Sequence, residues 1–230
     1  MERLNICGCL LNASEQELLQ YFKHPGVDLL EWRLDSFIHQ RGHRQTVQLL
    51  SLLSSSDRHP VVVTNRPERE GGLFAGSDED RMRLLWKAAD HGADWIDLED
   101  DVPHDHLAYF QKSNAGLLIS HHDFGGTPDQ ATLGRLAENM AAQGARAIKL
   151  VTLAQVPQDN IRVLDMIGFG KKHLSIDVIA FCMGPLGRWS RLACLLLGSP
   201  WTYARLPGQI SAAPGQPTIE ELRRALELLA

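Results

Sequence analysis

Short runs of β-branched and other apolar residues alternate eight times with longer amphipathic segments along these 230 residues, and this alternation constrains the fold more than any other feature. Strands are predicted over 3–10, 27–35, 60–65, 93–99, 115–121, 145–151, 174–182 and 201–206. Helices are predicted over 14–23, 43–55, 77–91, 103–112, 127–143, 157–170, 187–198 and 218–229. Runs such as HPVVVT and GLLIS are almost continuously apolar, the pattern of parallel strands covered on both faces. Helix starts are marked by capping-box spacing at Ser14–Glu17, Thr127–Gln130 and Thr218–Glu221, with a looser form at Ser77–Asp80. Pro128 suits a first helical position. Gly92, Gly116 and Gly144 each fall between a helix and the next strand, where a left-handed residue ends a helix.

Eight such units without a break in composition predict a single (β/α)₈ TIM barrel domain over residues 1–230, closed and therefore without edges. The competing doubly wound sheet has little in its favour, because no GxGxxG follows the first strand. A net charge of −5, with both signs interspersed, gives no footprint for nucleic acid or an anionic membrane. Cys7, Cys9, Cys182 and Cys194 lie in apolar runs and form no CxxC pair, so they read as small core residues in a reducing compartment. The first apolar stretch is too short for a secretory signal, and no window approaches the roughly 20 apolar residues of a membrane span. A soluble cytoplasmic protein is expected.

In this fold, chemistry belongs to the carboxyl ends of the strands. The second strand ends in Glu31-Trp32-Arg33-Leu34-Asp35, whose three charges share one face at period two. Both a structural ion pair and a binding role fit them. The third strand runs into Thr64-Asn65-Arg66-Pro67-Glu68-Arg69-Glu70-Gly71-Gly72, a charged loop whose glycines allow a sharp turn or close backbone approach. Asp97 and Glu99 face inward on the fourth strand and read as support for a neighbour. His121 and His122 must diverge, so only one enters the barrel. A metal site using these with His104 and His106 is the rival reading; without HExxH or a Cys/His cluster, no metal is expected.

Lys149, inside the apolar run Ala147–Val151, is the most telling residue. Lysines are rarely fully buried unless paired. Desolvation disfavours an ammonium, and a neutral amine attacks carbonyls. A strand-end histidine next door would complete an imine-forming site. Gly184 and Gly187 after the seventh strand raise a phosphate reading. Arg191 is suited to a substrate carboxylate, with an exposed surface arginine as the alternative. Residues 209–217 form a small-residue loop long enough to act as a lid.

The motifs EWRLD, TNRPEREGG, SHHDF followed by TP, the strand lysine, MGPLGRWSR and APGQ resemble, in order, the landmarks of type I 3-dehydroquinate dehydratases over roughly residues 27–221. The resemblance implies a cofactor-free (β/α)₈ enzyme of the shikimate pathway, commonly a homodimer, acting on 3-dehydroquinate. It implies a Schiff base on Lys149, His122 as general acid/base and Glu70 orienting His122. Arg191 would hold the substrate carboxylate, with Gln216 closing over it. Glu31, Arg33 and Arg66 would engage ring hydroxyls or neighbouring charges, and Met183 would pack against the ring. The chain departs from the family pattern at His121, where tyrosine is common, at Ala212, where serine is frequent, and at Asp100, where an apolar residue is usual. The helix after the fourth strand also looks short. A Schiff-base aldolase on the same fold and a non-catalytic ligand-binding barrel are the alternatives.

Overall fold

In the computed structural model, which describes residues 4–229, all eight predicted strands form and run parallel. They are β1 (Ile6–Leu10), β2 (Leu29–Arg33), β3 (Val61–Thr64), β4 (Trp95–Glu99), β5 (Gly116–Asp123), β6 (Ala147–Leu153), β7 (Asp177–Met183) and β8 (Thr202–Arg205). The helices are α1 (Glu15–Tyr21), α2 (Leu34–Arg41), α3 (His43–Leu49), α4 (Asp78–Asp90), α5 (His104–Phe110), α6 (Gln130–Ala142), α7 (Pro157–Phe169), α8 (Ser190–Leu196) and α9 (Ile219–Leu229). No helix among the described residues is long and apolar enough to cross a membrane.

The hydrogen-bonded order is β7-β6-β5-β4-β3-β2-β1-β8. The strands therefore form a nearly closed (β/α)₈ barrel, which corrects the expectation of one without edges. β7 and β8 carry no ladder between them; the Phe181 and Tyr203 rings meet edge-on there, centroids 6.2 Å apart. Every residue of β1 and β3 is buried, because one face fills the barrel and the other packs under helices. Trp32 shows the outer layer: its ring meets Phe22 and Phe37 edge-on at 6.0 and 5.5 Å. Burying one such side chain stabilises the fold by about 2–3 kcal/mol.

Local signals decide most helix ends. Ser14 and Glu17 close a capping box on α1, and Ser77 accepts from the Asp80 amide at the start of α4. Thr218 and Glu221 do the same reciprocally before α9. At α6 the expected cap is replaced. Asp129, not Thr127, accepts from the Thr132 amide, because the Thr127 hydroxyl is engaged by Thr152 and the Leu153 carbonyl. Pro128 therefore precedes the cap rather than opening the helix. Gly92 and Gly144 take positive φ as predicted, but Gly116 opens β5, where a Cβ would lie 2.6 Å from Trp95.

Two further boundaries move. β2 stops at Arg33, and α2 follows without a linker, placing Asp35 in its first turn. Four consecutive residues, Leu34 to Phe37, are buried there, so no 3.6-residue stripe announces the helix. After α7 the chain makes a π-type turn over 170–174, so β7 begins at Asp177 rather than 174. The helix after β4 spans only seven residues, short as expected. Residues 1–3, where the first strand was expected to begin, lie outside the described residues.

Candidate active site

The carboxyl ends of the strands surround a cavity of about 140 Å³. Lys149, His122, Glu70, Glu31, Arg33, Arg66, Met183, Arg191 and Gln216 all line it. They come from five strands or the segments just after them and from the loop beyond β8, as the fold requires.

Lys149 projects inward from β6 and is 3% exposed. Its surroundings are not the apolar pocket its strand suggests. Nζ donates to Asp97 Oδ2 at 2.5 Å and lies 4.0 Å from Glu31 Oε1. It also sits 4.9 Å from the centre of the Tyr203 ring. Glu31 in turn accepts from the Thr64 hydroxyl at 2.9 Å. The lysine is thus buried and paired, which is how buried lysines are tolerated.

Arg66 organises the cavity wall on the β3–β5 side. Its Nη2 donates to Asp97 Oδ1 at 2.7 Å; its Nη1 donates to Glu99 at 2.7 Å, Ser120 at 2.8 Å and Glu70 at 3.2 Å. Arg81 from α4 pairs with the other oxygen of Glu99. Of the two partners expected for Arg66, ring hydroxyls or neighbouring charges, these contacts are the charges. Burial pushes the Asp97 carboxyl up, but Arg66 and Lys149 outweigh it and hold it at about 2. Arg33 is clamped through Nε and Nη2 by Asp35 at 2.8 and 2.7 Å. Asp35 also accepts from the Leu73 amide, which ties the loop after β3 to β2.

That loop brings Glu70 to His122. Gly71 takes φ 72°, and a Cβ on Gly72 would lie 2.0 Å from the Arg66 carbonyl oxygen, so the turn requires both glycines. Glu70 Oε2 lies 2.8 Å from His122 Nδ1, leaving Nε2 as the ring's second nitrogen. Burial raises the Glu70 carboxyl to about 7. Burial also lowers His122 well below the ordinary imidazole range, helped by Arg66, Lys149, Arg33 and His121. His121 does not line the cavity and meets Asp100 at 3.1 Å, so only one of the two histidines enters the barrel, as predicted. Among the described residues, Glu70, Asp100 and His121 bring possible metal-ligand atoms within 4.8 Å of one another. His104 and His106 lie on α5, where His106 faces Trp86.

The opposite wall is built differently. Arg191, in the first turn of α8, is 2% exposed rather than a surface residue. Its guanidinium lies 4.3 Å from the Phe181 ring centre, and Nε and Nη2 have no hydrogen-bond partner. Burial lowers its pKa to about 10. Met183 ends β7 beside it. The alternative phosphate reading of the glycines after β7 loses two of its donors, because the Gly187 and Gly184 amides are bonded to the Gly184 and Pro214 carbonyls. Gln216 accepts from the Ala212 amide at 2.7 Å and reaches Cys9 Sγ at 3.0 Å, which holds the loop after β8 over the cavity. The Ser211 hydroxyl donates to the Ala213 carbonyl, so it does not replace a hydroxyl at Ala212.

Sequence reasoning missed the apolar and aromatic frame of the site. Phe124, Phe181, Tyr203 and Cys9 also line the cavity; Phe124 follows β5, and only inward register on the strands announced the other three. It assigned Asp97 a supporting role without finding that it touches Lys149.

Residues 6–230 match the family model described as Type I 3-dehydroquinase. The chain is 48% identical over 226 residues to the 3-dehydroquinate dehydratase of Syntrophobacter fumaroxidans, spanning 97% of this chain and 96% of the relative. Its fold matches the 3-dehydroquinate dehydratase of Geobacillus kaustophilus with a TM-score of 0.88 at 28% identity, covering 99% and 91% of the two chains. A second solved relative is the type I 3-dehydroquinate dehydratase of Clostridium difficile with covalent modified comenic acid. That structure gives a TM-score of 0.85 at 26% identity, over 100% and 93% of the chains. With a match that runs along almost all of its length, this chain belongs to the type I 3-dehydroquinase family of enzymes.

Proposed function

We propose that this chain acts as one catalytic barrel that dehydrates 3-dehydroquinate to 3-dehydroshikimate through a Schiff base on Lys149. The observation that carries the reading is the cavity itself. It holds a buried amine, a base with its own orienting carboxylate, and a buried guanidinium with unpartnered donors. The Clostridium difficile relative, with its covalent modified ligand, supports covalent chemistry in this family.

The ketone carbon takes Nζ of Lys149 and loses its oxygen as water, leaving a cationic imine. That cation is an electron sink for the bond to the adjacent C2 proton. His122 Nε2 removes the proton, with Nδ1–H donating to Glu70, and the electron pair moves into the imine to give an enamine. Return of the pair expels the C1 hydroxyl, which takes the proton from His122 and leaves as water. One face serves both transfers, so the elimination is syn. Hydrolysis of the product imine restores Lys149. No step calls on a cofactor.

Arg191 supplies the carboxylate anchor: a planar donor set already desolvated and without a partner is matched by a bidentate anion. Gln216 closes from above, Met183 packs on the ring, and Glu31 and Arg33 border the hydroxyl side. Arg66 acts there through Glu70 and Asp97. We place the reaction in the cytoplasm as a step toward aromatic compounds. We assign the exposed apolar residues Ile161, Trp189, Leu196 and Leu197 of the α7–α8 face to a homodimer contact, which sedimentation at micromolar protein would detect.

The test is His122→Ala with 3-dehydroquinate. The variant should still form a borohydride-reducible adduct while turnover falls on the order of 10³-fold or more. Unchanged turnover would remove His122 from the mechanism.

A further inference from the structure

Two halves of the site are joined by one carboxylate. Asp97 leaves β4 with its oxygens in separate employment. Oδ1 accepts from Arg66 Nη2 at 2.7 Å and from Ser120 Oγ at 2.6 Å. Oδ2 accepts from Lys149 Nζ at 2.5 Å. The side chain is fully buried, so the carboxylate has no solvent to reorient into. The guanidinium that fixes Oδ1 also donates to Glu70, the partner of His122.

We propose that Asp97 is the positioning residue of the nucleophile and the fixed counter-ion of its cationic imine intermediates. The inference rests on the Lys149 imine reading. Lysine ammonium plus ketone gives iminium plus water, so the positive charge at Nζ is conserved from resting enzyme to imine. A carboxylate held rigidly beside that nitrogen serves both states without rearrangement, which is where preorganised charge is most effective. Glu31 is the other anion facing Nζ, at 4.0 Å and without a hydrogen bond. The remaining titratable neighbours are Tyr203 on β8, Cys7 on β1, His122 on β5 and Arg66 beyond β3. Of all these groups, only Asp97 combines contact, charge and anchorage.

The test is borohydride trapping with 3-dehydroquinate across pH, run on the wild type, Asp97→Asn, Ser120→Ala and Glu31→Gln. Asp97→Asn should trap at least about tenfold less adduct and lower kcat on the order of 10²–10³-fold. Its half-maximal trapping should move to lower pH, because removing an anion favours loss of the amine's proton. Ser120→Ala deletes one anchor of Oδ1 and should move both readouts in the same direction by a smaller amount; it decides the matter if Asp97→Asn does not fold. A merely structural role would lower Tm and leave the pH midpoint in place. If the wild type traps and both variants match it in extent and midpoint, or if Glu31→Gln gives the larger shift, the assignment to Asp97 is wrong. If the wild type itself fails to trap, the Lys149 reading falls first.

Discussion

The β3–β6 wall of the cavity and the β7–β8 wall hold their charges in opposite ways. On the first, every charged group has a partner: Arg81 meets Glu99, Arg66 meets Glu99, Asp97 and Glu70, Asp97 meets Lys149, and Glu70 meets His122. On the second, Arg191 is equally buried but faces an aromatic ring with two nitrogens unpartnered, beside the one strand pair that lacks a ladder. The first wall is complete before substrate arrives and suits chemistry that needs fixed geometry. On the proposed reading the second is completed by a ligand anion, and its cost in the free protein is then released on binding. The proposed catalytic groups and the proposed anchor are thus separable by whether their electrostatics are satisfied in advance.

Removing an arginine from each wall should therefore have opposite effects on stability. Arg66→Met leaves two buried carboxylates, Asp97 and Glu99, and the part-buried Glu70 short of a cation and should destabilise the fold by about 3–5 kcal/mol in urea unfolding, with little turnover left. A loss under 1 kcal/mol would mean that the network is not self-supporting. Arg191→Met replaces an unpaired buried charge by an apolar chain of similar length. Its stability should be unchanged or higher by roughly 1 kcal/mol, while KM rises on the order of 10²-fold. A destabilised Arg191→Met with normal KM would dissolve the contrast between the walls.

The smallest effect concerns the pair itself. As pH falls through about 7, the value to which burial raises Glu70, the Glu70–His122 pair takes up a proton and the carboxylate partner of Nδ1–H is lost. The acid limb of kcat/KM should lie there. In Glu70→Gln no carboxylate titrates, and His122, already held low by burial and its cationic neighbours, governs alone. The limb should move to lower pH, with kcat down about tenfold or more. A limb that stays in place would show that Glu70 does not set it.

Much of this was legible in the residues, for physical reasons that differ by region. The eight strand–helix units show because parallel strands are apolar on both faces and most helices carry a stripe. α2 does not show, because four buried residues in a row at its start, Asp35 among them, break the stripe. Lys149 stands out as a cation in an apolar run, yet its partner Asp97 lies 52 residues away, and only the barrel brings them together. The loop over the cavity is likewise held by Gln209, which bonds the Leu11 and Asn12 backbone across nearly the whole chain. Caps are local and were mostly readable. At α6, two capable residues stood near the start, and the competing bond of Thr127 to Thr152 decided for Asp129.

The covalent role proposed for Lys149 is tested most directly by reducing the protein with borohydride in the presence of 3-dehydroquinate and mapping the modified peptide by mass spectrometry. One adduct per chain on Lys149, absent without substrate and absent in Lys149→Ala, is the predicted result. Folded, substrate-binding protein that yields no adduct, or an adduct on another lysine, would contradict it.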